Sequence, residues 1–248
     1  MNSITIYSGY NKDRHEENFK PLTLHIGEIY AIAGNTGSGK SRLIKDIEQL
    51  VHGDSVTGRT VWIDQKPVLP QTRRSLSGQL ISHLEQSMRF VLDLSVRDFI
   101  ALHCKCRNHT DLTPAIVIDK ANELTPEPIA PKQPLTQLSG GQSRALMIAD
   151  IALVCDSPVV LIDEIENAGI DKKKALHLLT SLDKLVLIVT HDPHTALMAE
   201  KRIIMKHGAI SCVIERSEEE QQLFSELDVY YERQTALQKN LRQGDSLS

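Results

Sequence analysis

The chain predicts an α/β fold: a mostly parallel sheet covered by helices, an antiparallel β edge at the N-terminus, and a helical subdomain inserted into the core. Three observations predict it. Apolar runs of strand length, "PVVLID" and "KLVLIVTH", alternate with helix-period stretches such as "ALMIADIALV" and "KKALHLLTSL". Strands that read as continuous apolar runs are those buried on both faces by crossover helices. A glycine-rich segment, "AGNTGSGKSR", stands between an apolar run and a helix-like one. Residues 66–137 differ from both flanks, being mostly helical in pattern and interrupted by prolines.

Taken in order, "SITIYSGY" and "LTLHIGEIYAIAG" read as strands broken by a polar turn. "KSRLIKDIEQLV" has helical spacing, with Leu43, Ile44, Ile47, Leu50 and Val51 on one side. "RTVWID" is a further short strand. The main domain is placed at 1–216, with the helical subdomain at about 66–148, and a charged helical tail follows at 217–248. In that tail Leu223, Leu227, Tyr230, Leu237 and Leu241 form one stripe, expected to pack on the chain's own domain.

At 248 residues, with 41% hydrophobic and 24% charged residues, the chain has the composition of an ordinary globular protein. A formal net charge of −4 gives no reason to expect nucleic-acid binding. No apolar stretch has the length of a membrane span, and the N-terminus lacks the pattern of a signal peptide. The expectation is a cytoplasmic protein with reduced thiols at its four cysteines. It would reach the inner face of a membrane only through a partner.

Residues Gly34, Asn35, Thr36, Gly37, Ser38, Gly39, Lys40 and Ser41 fit G-x-x-x-x-G-K-[ST] in full. Glycines let successive backbone N–H groups face one concavity, and the following helix points its positive end there. Lys40 would neutralise β- and γ-phosphate charge, with Arg42 adjoining, and Ser41 would hold Mg²⁺. In "VVLIDE" a buried strand ends at Asp163, whose carboxylate suits the Mg²⁺ shell. Glu164 follows, where a residue polarising the attacking water would sit. Ser139, Gly140, Gly141 and Gln142 of "LSGGQ" open a second helix, which is another phosphate-binding end. One nucleotide does not need two such ends from one chain. A head-to-tail dimer explains both, the second segment of one copy closing on the γ-phosphate held by the other.

With these motifs in this order, residues 1–215 resemble the ATP-binding cassette (ABC) ATPases, a branch of the P-loop NTPases. The resemblance implies ATP and Mg²⁺ as ligands and a homo- or heterodimer of such domains. It also implies a transmembrane permease partner, the chain itself having no span. Further site residues follow from it. Gln65, after "TVWID", would be the glutamine that senses Mg²⁺ and the attacking water. His191 in "IVTHD" would contact the γ-phosphate, and Tyr10 would stack on adenine. Catalysis is thus expected from Glu164, His191 and Gln65, and metal binding from Ser41, Gln65 and Asp163. A D-loop falls at Ala168–Asp171.

The chain departs from the family pattern in places. "DEIE" replaces the usual "DEPT/S", and Asp150 stands where arginine is common. An extra segment, "PQTRRSLSGQLISHLEQSMRF", follows Gln65 in the region where the family meets its transmembrane partner. Its "LSGQ" at 76–79 lacks one glycine and reads as a loop before a helix. "DEIE" is similar to the "DE-x-D" of the iron–sulfur assembly ATPases. The alternative to a transporter subunit is therefore a soluble ABC ATPase that assembles or remodels a protein complex. "HCKCRNH" at 103–109 has poor spacing for a structural zinc site and reads as an amphipathic helix end.

Overall fold

The computed structural model describes residues 1–167 and 169–246. In chain order the elements are β1 (Ser3–Tyr7), β2 (Leu22–His25), β3 (Ile29–Ala33), α1 (Lys40–Glu48), β4 (Thr60–Ile63), β5 (Lys66–Pro67), α2 (Pro70–Leu80) and β6 (Ile81–Leu84). Then follow α3 (Val96–Cys106), α4 (Pro114–Leu124), α5 (Gly140–Leu153), β7 (Val159–Asp163) and α6 (Lys172–Thr180). The last are β8 (Leu185–Val189), α7 (Pro193–Met198), β9 (Lys201–Lys206), β10 (Ala209–Glu215) and α8 (Glu218–Gln243).

Two sheets form. The larger has the order β10-β9-β3-β8-β7-β6 and is parallel except for its β10 edge. The smaller, β2-β1-β4-β5, is antiparallel. The expected α/β core and antiparallel N-terminal edge are both present. The "LTLHIGEIYAIAG" run serves both sheets. Gly27, at φ +82°, turns the chain between β2 in one sheet and β3 in the other.

The apolar runs are continuous because the parallel sheet is covered on both faces. Val160, Ile162, Val186 and Ile188 pack with the helices α3 to α6. The alternate residues Val159, Leu161, Leu185 and Leu187 pack with α1 and the antiparallel sheet. Successive strand residues point to opposite faces, so neither set can be polar.

The 66–148 stretch is not all helix. It holds the short strand β5 and, more consequentially, β6, which pairs with β7 as the edge of the parallel sheet. Ser82 and His83 break the apolar pattern of "ISHL", so this strand lacks the continuous apolar run that marks β7 and β8. The segment after Gln65 thus contributes an edge strand to the core sheet. Its α2 lies against the core through Leu76 and Leu80, and Ser77 Oγ donates to the Glu48 carbonyl. Arg73 pairs with Asp54. "LSGQ" at 76–79 lies inside α2, not in a loop. Of the expected D-loop, Ala168 lies outside the described residues. Asp171 caps α6 by accepting from the Lys174 N–H.

The tail is helical, but its packed face differs from the expected stripe. Phe224 and Tyr231 stack on His194 of α7, and Asp228 bonds His194 and Lys173. Leu223, Tyr230, Leu237 and Leu241 are exposed. Spacing of i, i+4, i+7 selects the aromatic and acidic face because α7 offers it a ring and α6 a cation. Among the described residues no helix is long and apolar enough to cross a membrane.

The two sheets are joined by a buried ionic cluster. Arg59, with none of its surface exposed, donates from Nε to Glu17 Oε2 at 2.8 Å and from an Nη to Asp46 of α1 at 3.1 Å. It also donates to Glu17 Oε1 at 2.5 Å and to the Gly208 carbonyl in the β9–β10 turn at 2.6 Å. Arg59→Met leaves the Glu17 carboxylate buried without its cation and Asp46 with only Arg42, at 3.7 Å. Losing one side of a buried pair costs about 3–5 kcal/mol, and urea unfolding of the variant should show a loss of that size. A cost below about 1 kcal/mol, the scale of an exposed pair, would show that the cluster does not hold the sheets together.

Candidate functional site

The motifs meet at the carboxyl ends of the parallel strands, the place where open α/β sheets bind ligands. Register aligns Ile32 of β3 with Val189 of β8, Val189 with Asp163 of β7, and Ile162 with Leu84 of β6. The residues that leave these strands therefore form one row: the loop from Gly34, His191, Glu164 and Gln86. Adjacent strands lie ~4.8 Å apart, so the row spans roughly three such spacings.

The loop from Gly34 to Gly39 is a cradle. A Cβ at Gly34 would lie 2.4 Å from the Met205 carbonyl and 2.7 Å from Ser38 Oγ, so only glycine fits. Lys40 Nζ folds over the loop, donating to the carbonyls of Gly34 at 2.8 Å and Asn35 at 3.2 Å. Burial lowers the Lys40 ammonium pKa, and the charges of Asp163 and Glu164 oppose that shift. Ser38 Oγ is buried and without a partner among the described residues. Ser41 is exposed on the first turn of α1, and Arg42 reaches Asp46 at 3.7 Å. A glycine cradle, an orphaned hydroxyl, a lysine and a helix N-terminus together suit a nucleotide phosphate.

Tyr10 lies at the rim. Its backbone N–H donates to the Thr57 carbonyl and its ring covers Gly58. Two residues on, Lys12 Nζ donates to the Gly37 carbonyl at 2.6 Å, tying this segment to the cradle. Lys12 was not anticipated, since an isolated exposed lysine gives no sequence signal.

Asp163 ends β7, and burial followed by the neighbouring Glu164 charge raises its carboxyl pKa. Glu164, in the left-handed region at φ +49°, accepts from Gln86 Nε2 at 2.7 Å. Gln65, expected as the sensing glutamine, is elsewhere. It lies in the β4–β5 hairpin turn, at φ +61° next to Asp64 at φ +46°. Asp64 bonds the N–H groups of Asn2 and Ser3. Since β1 pairs Tyr7 with Thr60 and Ile4 with Ile63, this turn is at the end of the small sheet opposite Tyr10 and Gly58. "TVWID" belongs to the antiparallel sheet, and the strand that delivers a glutamine to Glu164 is β6. The signal was present as "ISHLEQ", concealed by its polar centre.

His191 is exposed just after β8. Its loop is held by Glu166, whose Oε1 accepts from Thr190 Oγ1 at 2.8 Å and from the His191 N–H at 3.3 Å. Asp192 accepts from Lys172 Nζ at 2.5 Å and from the Thr195 hydroxyl at 2.6 Å.

The signature segment opens α5. Ser139 Oγ accepts from the Gln142 N–H at 3.2 Å, while the Ser139 N–H donates to Gln142 Oε1 at 2.9 Å. This is a closed capping box. Gly140 and Gly141 follow in its first turn. Among the described residues the hydrogen-bond partners of the Ser139 and Gln142 side chains lie in residues 127–142, none in the cradle. Arg144, one turn further, donates to the carbonyls of Glu85 at 2.5 Å and Asp163 at 2.9 Å. The same chain thus links α5 to the strand ends while keeping Ser139 apart from its own cradle. In "HCKCRNH", His103 pairs with Asp150, His109 with Asp156, and Cys104 is buried in the core.

A P-loop fold with a phosphate cradle, a carboxylate pair at a strand end and a separate signature helix defines a nucleotide-hydrolysing cassette. The family described as "ABC transporter" matches residues 20–167, and the chain belongs to that family: it is an ABC-type ATPase. It is 43% identical over 249 residues to the uncharacterized ABC transporter ATP-binding protein MJ0121 of Methanocaldococcus jannaschii, covering 100% of this chain and 95% of that one. It is 30% identical over 206 residues to the macrolide export ATP-binding/permease protein MacB of Psychrobacter cryohalolentis. That match covers 76% of this chain but spans only 29% of MacB. The dimeric structure of MJ0796, described as a bacterial ABC transporter cassette, has the same fold. The TM-score is 0.63 and the identity 22%, over 86% of this chain and 98% of that one.

The Lys172–Asp192 pair gives a pH test of the His191 loop. Burial pushes the Asp192 carboxyl up, but hydrogen bonds from Lys172 and Thr195 outweigh it and bring the pKa to about 2. A depressed carboxyl stabilises the fold above its unfolded pKa, and that stability is lost as pH falls through the folded value. The gap in unfolding free energy between the parent and Asp192→Asn should be constant down to about pH 5 and should close as pH approaches about 2. A gap independent of pH over that window would contradict the pairing.

Proposed function

We propose that this protein is the energising subunit of a membrane transporter, and that it closes head-to-tail with a second ABC domain around ATP. The observation that carries the proposal is the row Lys40, His191, Glu164, Gln86 at one sheet edge, set apart from Ser139 on α5. The cradle residues would hold the phosphates and Tyr10 would stack on adenine. Ser41 and Asp163 would hold Mg²⁺, which when bound neutralises phosphate charge. Glu164 would orient and polarise the attacking water, with Gln86 fixing its carboxylate and His191 meeting the γ-phosphate. Positioning and charge stabilisation supply most of the catalysis in phosphoryl transfer. The Ser139 hydroxyl and the N–H groups of Gly140 and Gly141 would complete the site of the opposite copy, in a homo- or heterodimer. The dimeric state of MJ0796 supports that arrangement.

Transport is favoured by the names of the relatives and by one surface. Beside Gln86 a groove of about 290 Å³ is lined by Leu84, Met88, Phe90, Leu92, Met147 and Ile151. Val91 stands 88% exposed at its edge. The groove lies between the strand that carries Gln86 and the helix that carries Ser139. A permease segment seated there would meet β6, which leads to Gln86, and the middle and end of α5, the helix that Ser139 caps. The segment after Gln65, with Arg73 and Arg74 on the largely exposed α2, is a second candidate docking surface. Attachment through such a partner would place the chain at the cytoplasmic face of the membrane.

Two measurements test the reading. Glu164→Gln keeps shape and hydrogen bonding but removes the charge, and turnover should fall by about 10²–10⁴-fold, the usual worth of general-base catalysis. With MgATP this variant should be a dimer in light scattering, and adding Ser139→Arg should return it to monomer. In the second, Gln86→Ala should reduce turnover with little change in ATP affinity, whereas Gln65→Ala should leave turnover near the parent rate. The reverse pattern would return the sensing role to Gln65.

A further inference from the structure

We propose that Glu127 guards the signature serine: its carboxylate holds the Ser139 hydroxyl in the separated chain and so sets how much ATP is needed to close the dimer. This rests on the composite site above.

Ser139 Oγ donates its hydrogen to Glu127 Oε2 at 2.7 Å. The same oxygen accepts from the Gln142 N–H. A hydroxyl has a single hydrogen to give, so the donor a phosphate oxygen needs is already committed. The acceptor is also anionic. A carboxylate within hydrogen-bond reach of Ser139 stands beside the point where the α5 N-terminus attracts negative charge. A phosphate arriving there meets a like charge, felt more strongly as closure excludes water.

Glu127 is held in place by its surroundings. Pro126 and Pro128 flank it and restrict the backbone. The Glu127 N–H donates to Thr125 Oγ1, and the Pro128 carbonyl accepts from Gln142 Nε2 at 2.9 Å. Asn122 Oδ1 accepts from the Ile129 N–H at 2.7 Å. The signature glutamine thus anchors the loop that carries the guard. Among the described residues no lysine, arginine or histidine forms an ion pair with Glu127.

The experiment titrates MgATP against Glu164→Gln protein in light scattering, with and without Glu127→Gln or Glu127→Ala. Glu127→Gln keeps an acceptor for Ser139, so the loop survives while the charge is gone. Both variants should lower the ATP concentration for half-dimerisation by about tenfold, the scale of removing a like-charge contact from an interface. ATP affinity of the single copy, measured in the Ser139→Arg background where closure fails, should not change. A gain of closure is not produced by mere damage to the loop. A midpoint that stays or rises overturns the guard and leaves the composite site standing. If Glu164→Gln itself stays monomeric with ATP, the composite reading falls and the guard with it.

Discussion

The site depends on Arg59. Its guanidinium is buried among groups from four parts of the chain: Glu17 before β2, Asp46 on α1, Thr57 through Asp46, and Gly208 in the β9–β10 turn. Glu17 passes the constraint on, accepting from the N–H groups of Gly9 and Ile210. A charge taken so far from water is tolerated only when every donor is answered. The geometry of the segment carrying Tyr10 and Lys12 is therefore set by the same cluster that holds α1. Cradle, rim and β9–β10 turn form one unit. Gly208 N–H donates to the Ser38 carbonyl from the far side, closing it.

A second constraint is electrostatic. Asp163, Glu164 and Glu166 crowd the end of β7, and Arg144 is the buried cation that all three attract. Arg144 does not pair with their carboxylates in the hydrogen bonds it makes. It binds backbone carbonyls on β6 and β7. The helix bearing the signature is thereby fastened to the strand ends. A displacement of α5 must then move the carbonyls of Glu85 and Asp163, the backbone from which Gln86 and Glu164 project. This gives a material path between the groove at Met88–Leu92 and the row of residues at the strand ends, made of direct contacts.

Most of this was legible in the residues because the relevant signals are local. A phosphate cradle needs glycines at fixed offsets before a lysine, and Gly34 and Gly39 show why. An added Cβ at either would enter the backbone of β9 or the β9–β10 turn. "VVLID" and "LVLIV" were legible because a strand buried on both faces has no polar position. What failed was the strand buried less completely. Ser82 and His83 sit on an edge and meet Ser157 and Glu48, so they need not be apolar. The four residues of β6 carry the chain to Gln86 beside Glu164, a sheet away from the β4–β5 turn that holds Gln65. The tail misled for a related reason. A leucine stripe suggested burial, but the partner surface offers His194, Lys172 and Lys173, which select aromatic rings and a carboxylate.

The departure "DEIE" now has a physical content. Ile165 is buried and anchors the turn in the core, while Glu166 reaches across to Thr190 and the His191 N–H. The second carboxylate therefore holds the histidine loop, whereas Glu164 accepts from Gln86. That loop is then gripped from three directions. Glu166 holds it from β7, Lys172 holds Asp192 from α6, and Tyr231 lies under Lys172 from α8. With His194 stacked on the same tyrosine, the tail helix is joined to both the α6 end and the α7 end of the site. The cradle side of the molecule is fixed by a buried network, whereas the histidine side is fixed by partly exposed pairs that cost less to break.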